Sequence, residues 1–167
     1  DMPEYKPVEM NAKTPETTNT TDKADRYIET AVNLKPAKVF IMVGLNDVNY
    51  GTRSAQTIAE KLGVASVDVI DASKITTEKV GGYDILLLGT STWGDGELQD
   101  DWYDAIKTVK TADLNGKIVA LFGCGDSESY CDTFCDGMGV IYDQLKNSGC
   151  TFVGAVPADE YSYSSSI

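Results

Sequence analysis

The fold is decided by one stretch of the chain, Leu86-Leu87-Leu88-Gly89-Thr90-Ser91-Thr92-Trp93-Gly94-Asp95-Gly96-Glu97-Leu98-Gln99-Asp100-Asp101-Trp102. It opens with an uninterrupted aliphatic run, which predicts a strand buried on both faces, as in a parallel sheet. A glycine-rich segment follows, and glycine lets a loop backbone approach a ligand closely. Trp93 stands in that segment, although a loop tryptophan taken alone is more often a packing residue than a stacking platform. The stretch therefore predicts a buried strand whose carboxyl end carries a candidate ligand loop.

Working outward from this stretch, strand-sized apolar runs alternate with amphipathic segments from residue 37 onward. Strands are predicted at residues 38–43, 66–70, 83–88, 117–122 and 151–156. Helices are predicted at residues 54–62, 76–80, 100–109 and 132–147, with Gly149 as the stop signal of the last one. Five strands with helical crossovers predict an α/β fold, a three-layer doubly wound parallel sheet that binds ligands beyond the carboxyl ends of its strands.

Charge and side-chain inventory exclude several classes of function. The net charge is −12, whereas nucleic acids and anionic membranes attract patches of Lys and Arg. The acidity favours basic protein partners, and solubility alone is an alternative reason for it. The chain has no histidine, which excludes the usual zinc sites and Ser-His-Asp triads, and no metal site is predicted. None of the four cysteines forms a Cys-x-x-Cys pair, so reduced thiols in a cytoplasmic protein are expected. Cys131 and Cys135 are predicted to lie one turn apart on a helix.

A second loop has a composition similar to the first. Ala120-Leu121-Phe122-Gly123-Cys124-Gly125-Asp126 is followed by Tyr130 and by Phe134-Cys135. Together with residues 86–102 and Asn115-Gly116-Lys117, this pattern resembles the flavin loops of long-chain flavodoxins, over about residues 37 to 167. The resemblance implies the flavodoxin strand order 2-1-3-4-5, FMN as the cofactor and one-electron transfer as the activity.

The resemblance also implies which residues bind FMN. Trp93 and Tyr130 would sandwich the isoalloxazine ring, and the Gly94-Asp95 peptide would turn over to hydrogen-bond the flavin N5. Residues 90–92 would lie near the phosphate and the ring edge, and residues 123–126 would contact the pyrimidine end through their backbone. The complete predicted set is Gly51, Thr52, Arg53, Ser54, Ala55, Thr90, Ser91, Thr92, Trp93, Gly94, Asp95, Gly96, Gly123, Cys124, Gly125, Asp126 and Tyr130. No catalytic residue is predicted.

The phosphate loop departs from the flavodoxin pattern Thr/Ser-x-Thr-Gly-x-Thr. It is several residues longer, Arg53 stands where the glycine belongs, and Ala55 stands where the last threonine belongs. Gly51, Thr52 and Ser54, with Arg53 on the phosphate, form a variant cradle at a helix N-terminus in one interpretation. In the other the phosphate grip is lost, and Arg53 is equally compatible with a solvated surface charge. The two filled aromatic positions favour retained FMN.

The two ends of the chain look exchanged. Residues 1–10 and 21–34 resemble the last strand segment and the last helix of long-chain flavodoxins, and residues 21–34 carry one apolar stripe. We therefore expect a circularly permuted single domain over residues 1–167. Residues 1–36 would supply the permuted strand segment and helix, and residues 37–167 the remaining core. The alternative is an unrelated N-terminal extension together with a truncated C-terminus.

The predicted function is that of a monomeric FMN-binding one-electron carrier. Its expected partners are basic redox proteins, such as a flavodoxin reductase-like donor and acceptor enzymes, which dock transiently. An enzyme such as a quinone reductase is disfavoured, because the sequence shows no recognisable substrate pocket. The alternative is an interaction or regulatory module with weakened or lost FMN binding.

Overall fold

Helices and strands alternate along the part of the chain that the computed structural model describes, residues 39–43, 51–155 and 162–166. The strands are β1 (Val39–Val43), β2 (Val69–Asp71), β3 (Ile85–Trp93), β4 (Glu97–Leu98), β5 (Ile118–Cys124) and β6 (Thr151–Phe152). The helices are α1 (Gly51–Leu62), α2 (Thr77–Gly81), α3 (Asp100–Thr111) and α4 (Asp136–Leu145). None of the helices in these ranges is long and apolar enough to cross a membrane.

Five of the strands are parallel and lie in the order β2-β1-β3-β5-β6. Counted along the parallel strands only, this order is 2-1-3-4-5. The central strand β3 pairs with β1 from Val39 opposite Ile85, and with β5 from Ile85 opposite Ile118. The short β4 runs antiparallel to the end of β3, with Trp93 opposite Glu97. The predicted class, an α/β fold built on a doubly wound parallel sheet, is confirmed.

The central strand buries both of its faces. Leu86 and Leu88 belong to a core cluster that also holds buried residues of α3 and α4. Ile85 and Leu87 belong to a second cluster with Ala55 of α1. Because side chains alternate across a strand, an uninterrupted aliphatic run supplies both layers at once.

Several predicted boundaries are wrong. Residues 66–68 form a 3-10 turn, Ser66–Asp68, instead of a strand, and β2 follows it. Strand β3 continues to Trp93, five residues past the predicted end, because β4 folds back and pairs with it. Apolar periodicity alone predicts neither the 3-10 turn nor the pairing of β3 with β4.

The last predicted helix is also shorter than expected. It begins at Asp136 and ends at Leu145, so Cys131 and Cys135 do not share a helix. Gly149 has φ +84° but lies four residues beyond that end, where an added Cβ would collide with the Asn115 side chain. Its glycine is therefore required by a contact between two turns, and not by a helix cap.

Residues 1–38, 44–50, 156–161 and 167 lie outside the described residues. The predicted helix at 21–34, the permuted strand segment at 1–10 and the division of the domain at residue 36 all fall there. Circular permutation therefore stays a prediction.

Candidate functional site

Two loops at the carboxyl end of the sheet enclose a pocket of about 250 Å³. One loop follows β3 and the other follows β5. These strands are paired as far as Ser91 opposite Cys124, so their loops leave the sheet side by side. The pocket is lined by Thr92, Gly94, Gly125, Asp126, Tyr130, Thr133, Phe134 and Cys135. Its place beyond the carboxyl ends of adjacent parallel strands is where open α/β sheets bind ligands.

The first loop is a tight hairpin whose conformation requires glycine at two positions. Gly94 and Gly96 have φ values of +48° and +92°, which side chains with a Cβ rarely adopt. A Cβ on Gly94 would also lie 2.9 Å from Oε2 of Glu97. The indole Nε1 of Trp93 donates a hydrogen bond to Ser91 Oγ at 3.1 Å, which orients the partly buried ring.

The second loop begins with a turn that Asp126 organises. The Asp126 Oδ1 accepts the backbone N–H groups of Glu128 at 3.0 Å and Ser129 at 3.1 Å, which is the hydrogen bonding of an Asx-turn. Bonds from Ser129, through its side chain and its backbone, and then from Glu128 hold the pKa of Asp126 below its usual range. The N–H of Tyr130 donates to the Asp126 carbonyl at 3.0 Å, and the Tyr130 side chain is 61% exposed at the pocket. The turn therefore presents an ionised carboxylate and a phenol ring together.

A hydrogen bond joins the end of β3 to the start of α4. Thr92 Oγ1 accepts the N–H of Gly137, in the first turn of α4, at 3.0 Å. The N-cap residue of this helix, Cys135, has φ +59° and its side chain makes no capping hydrogen bond. A Cβ on Gly137 would lie 2.9 Å from the Ser91 carbonyl oxygen, so the start of α4 packs directly against the end of β3. The hydroxyl of Thr92 thus acts as the cap that α4 lacks locally.

The structure brings five of the predicted site residues into the pocket lining, and these are Thr92, Gly94, Gly125, Asp126 and Tyr130. Four others lie in the same two loops or at the adjoining strand ends, namely Ser91, Trp93, Asp95 and Gly96. Gly123 and Cys124 are the last two residues of β5.

The side chains of two predicted site residues are buried. Thr90 is 2% exposed, and its hydroxyl donates to the Ser91 carbonyl at 2.9 Å. Ala55 is fully buried and packs with Ile85 and Leu87. Both side chains serve the core, because Thr90 still belongs to the central strand and Ala55 lies on the sheet-facing side of α1.

The predicted phosphate residues lie in a helix that starts earlier than expected. The helix α1 begins at Gly51 instead of Ser54, so residues 51–54 form its first turn. The free backbone N–H groups of a helix belong to its first turn, so such groups are expected at residues 51–54. Residues 44–50, which lead into it, lie outside the described residues, and the variant phosphate cradle stays a prediction.

Three pocket residues were missed by the sequence analysis, and they are Thr133, Phe134 and Cys135. They fall within the helix predicted at residues 132–147, and no pocket role was predicted for them. The available signal was Phe134, an aromatic residue four positions after Tyr130, in a segment that resembles the second flavin loop.

Comparisons with known proteins agree with this geometry. A family model described as flavodoxin matches residues 48–164. Flavodoxin 1 of Salmonella typhimurium is 47% identical over 112 residues, covering 67% of this chain and 64% of that protein. The flavodoxin of Haemophilus influenzae is 38% identical over 128 residues, covering 75% of this chain and 74% of that protein.

Solved structures give the same result for the fold. Oxidised flavodoxin 1 from Bacillus cereus has a TM-score of 0.59 and 28% identity, covering 74% of this chain and 88% of that one. The Fusobacterium nucleatum flavodoxin bound to flavin mononucleotide has a TM-score of 0.65, covering 78% of this chain and 77% of that one, and at 23% identity it shows the fold alone.

The sheet, its crossovers and the paired loops define a protein of the flavodoxin-like α/β class. The chain belongs to the flavodoxin family. It spans 64% of the length of the Salmonella relative.

Proposed function

We propose that this protein binds FMN between its two loops and carries single electrons between redox proteins. The observation that carries the proposal is the convergence of the loops after β3 and β5 into one pocket, with the ring of Tyr130 in its lining. Membership of the flavodoxin family supports it.

The residues present fit a flat, partly polar ring. Tyr130 and Phe134 supply aromatic surface, while Gly94 and Gly125 place bare backbone at the pocket. None of the eight lining residues is basic, and Asp126 is held ionised by its turn. Bound FMN would supply the uptake and release of single electrons. A nearby carboxylate raises the free energy of adding negative charge to the pocket, which tunes how readily that uptake occurs.

The chain's own residues would bind and orient the cofactor. Trp93 and Tyr130 would stack on the two faces of the ring, with the indole oriented by Ser91 and the phenol by the turn at Asp126. The first turn of α1, residues 51–54, would hold the phosphate with its free N–H groups. The site contains no general acid or base in this proposal, which describes a carrier and not an enzyme.

Exposed carboxylates around the loops would favour partner proteins with a basic docking surface. Asp95, Glu97, Asp100 and Asp126 are all exposed, and the whole chain carries a net charge of −12. Such a surface accelerates encounter with basic proteins, and screening by salt weakens the effect. The partners are therefore expected to be basic redox proteins that dock transiently.

Titration of the flavin-free protein with FMN, followed by quenching of flavin fluorescence, tests the proposal. Trp93→Ala and Tyr130→Ala should each weaken FMN binding by about 1–3 kcal/mol, by analogy with base–aromatic stacking. Tyr103→Ala is the matched control, because Tyr103 is 49% exposed on α3 and does not line the pocket. Riboflavin should bind more weakly than FMN if the first turn of α1 holds the phosphate.

Two results would contradict the proposal. Unchanged FMN affinity in both aromatic variants would remove the stacking site. A wild-type protein that fails to bind FMN at micromolar concentration would favour the flavin-free interaction module instead.

A further inference from the structure

A segment far along the chain lies against the second loop. The backbone N–H groups of Ser164 and Ser165 both donate to the carbonyl oxygen of Cys131, at 2.8 and 3.0 Å. The ring of Tyr163 packs against that of Phe134, with 5.3 Å between centroids and a tilt of 34°. Residues 162–166 are therefore attached to the second loop by two hydrogen bonds and one aromatic contact.

The contacted part of the loop is pocket wall. Phe134 and Cys135 line the pocket, and they press on the loop's other end at Gly125. A Cβ on Gly125 would lie 2.8 Å from Cys135 Sγ and 3.2 Å from the Phe134 ring. Cys135 also holds a left-handed conformation, φ +59°, which is unfavourable for an L-residue. A wall of turns with one unfavourable backbone conformation depends on neighbours to hold it in place.

We propose that Tyr163 is a positioning residue of the cofactor site. Its ring holds Phe134 against Gly125, and the hydrogen bonds to Cys131 keep residues 162–166 in place while it does so. Tyr163 does not line the pocket, so it acts on the ligand through Phe134. The inference rests on the proposed function in one respect, which is that FMN is the ligand whose affinity it changes.

The first experiment compares FMN binding by the full-length chain and three variants. Tyr163→Ala removes the ring, and Tyr163→Phe keeps it. Tyr142→Ala is the matched control, because Tyr142 is 45% exposed and packs edge-on against Phe152 at 4.9 Å, without lining the pocket. The dissociation constant for FMN should rise between about twofold and about tenfold in Tyr163→Ala, the factor that an aromatic pair is worth. It should stay at the wild-type value in the other two.

Rescue by Tyr163→Phe separates positioning from a general loss of stability. Both alanine variants remove an aromatic pair and should lower Tm, whereas only Tyr163→Ala should lower FMN affinity. A wild-type protein that binds FMN, with the same dissociation constant in Tyr163→Ala, would overturn the inference.

The second experiment needs no flavin. The thiols of Cys131 and Cys135 lie in the braced loop, and that of Cys150 precedes β6 and serves as the internal reference. Alkylation of the flavin-free protein with iodoacetamide, read by peptide mass spectrometry, should be faster at Cys131 and Cys135 in Tyr163→Ala alone. If the wild type does not bind FMN, the proposed function fails, and the alkylation experiment alone tests the role of Tyr163. Faster alkylation of Cys131 and Cys135 in Tyr163→Ala supports that role, and equal rates in all four proteins refute it.

Discussion

Replacing Thr92 by valine removes the hydrogen bond between the end of β3 and the start of α4, with little change in side-chain shape. The acceptor serves the N–H of Gly137, which is buried at the start of α4, and the N-cap Cys135 supplies no side-chain substitute. Leaving a buried donor without its acceptor costs about 1–3 kcal/mol, which overlaps the cost of losing a helix N-cap. For a chain of this size each kcal/mol lowers Tm by about 2–4 °C. Thr92→Val should therefore lower Tm by about 2–12 °C.

Urea unfolding of the flavin-free protein, followed by far-ultraviolet circular dichroism, measures the loss in the free energy of unfolding, and a thermal scan measures the change in Tm. Thr92→Ser keeps the hydroxyl and should retain most of the stability. Thr108→Val makes the same substitution where the hydroxyl bonds the Asp104 carbonyl of its own helix, at 3.3 Å, and should stay within about 0.5 kcal/mol of wild type. An unfolding midpoint for Thr92→Val equal to that of Thr108→Val, at constant m-value, would contradict the stabilising role of the bond between β3 and α4.

Two further predictions concern the frame around the site. A Cβ at Gly89 would lie 2.5 Å from Cε2 and 2.8 Å from Cε1 of Phe122; Gly89→Ala should therefore cost about 1–3 kcal/mol. The cost should shrink in a Phe122→Leu background, and equal losses in both backgrounds would speak against this overpacking. The Tyr83 phenol donates to Asp68 Oδ1, and this bond, with burial, raises the pKa of Tyr83 above its ordinary value of 10.0. Because the folded pKa lies above the unfolded one, the stabilisation is complete below pH 10 and is lost as pH rises through the folded pKa. Tyr83→Phe should thus lose less stability at alkaline pH than the wild type, and parallel pH profiles would contradict the assignment.

Much of the frame was predictable because it depends on local pattern. The aliphatic run at 85–88 needs burial on both faces, and the centre of a parallel sheet provides it. Glycine at 94 and 96 marked a turn, and the structure gives both a positive φ. Trp93 and Tyr130 were placed in the two loops by resemblance, and the structure puts those loops side by side. Whether the two rings stack on a flavin stays a prediction.

The sequence by itself determined the fold class, the family and the two loops, because each depends on a pattern of residues that are close together in the chain. Only the tertiary structure decided where β3 ends and where α4 begins. Strand β3 continues to Trp93 because β4 pairs with its end. Helix α4 starts at Asp136, next to Thr92 of β3, whose hydroxyl caps it. The pocket wall at 133–135 follows from that late start, and Tyr163 reaches it from a distant part of the chain. Contacts between residues far apart in sequence set these boundaries. Such contacts produce no hydrophobic period and no motif spacing that could be recognised in the sequence.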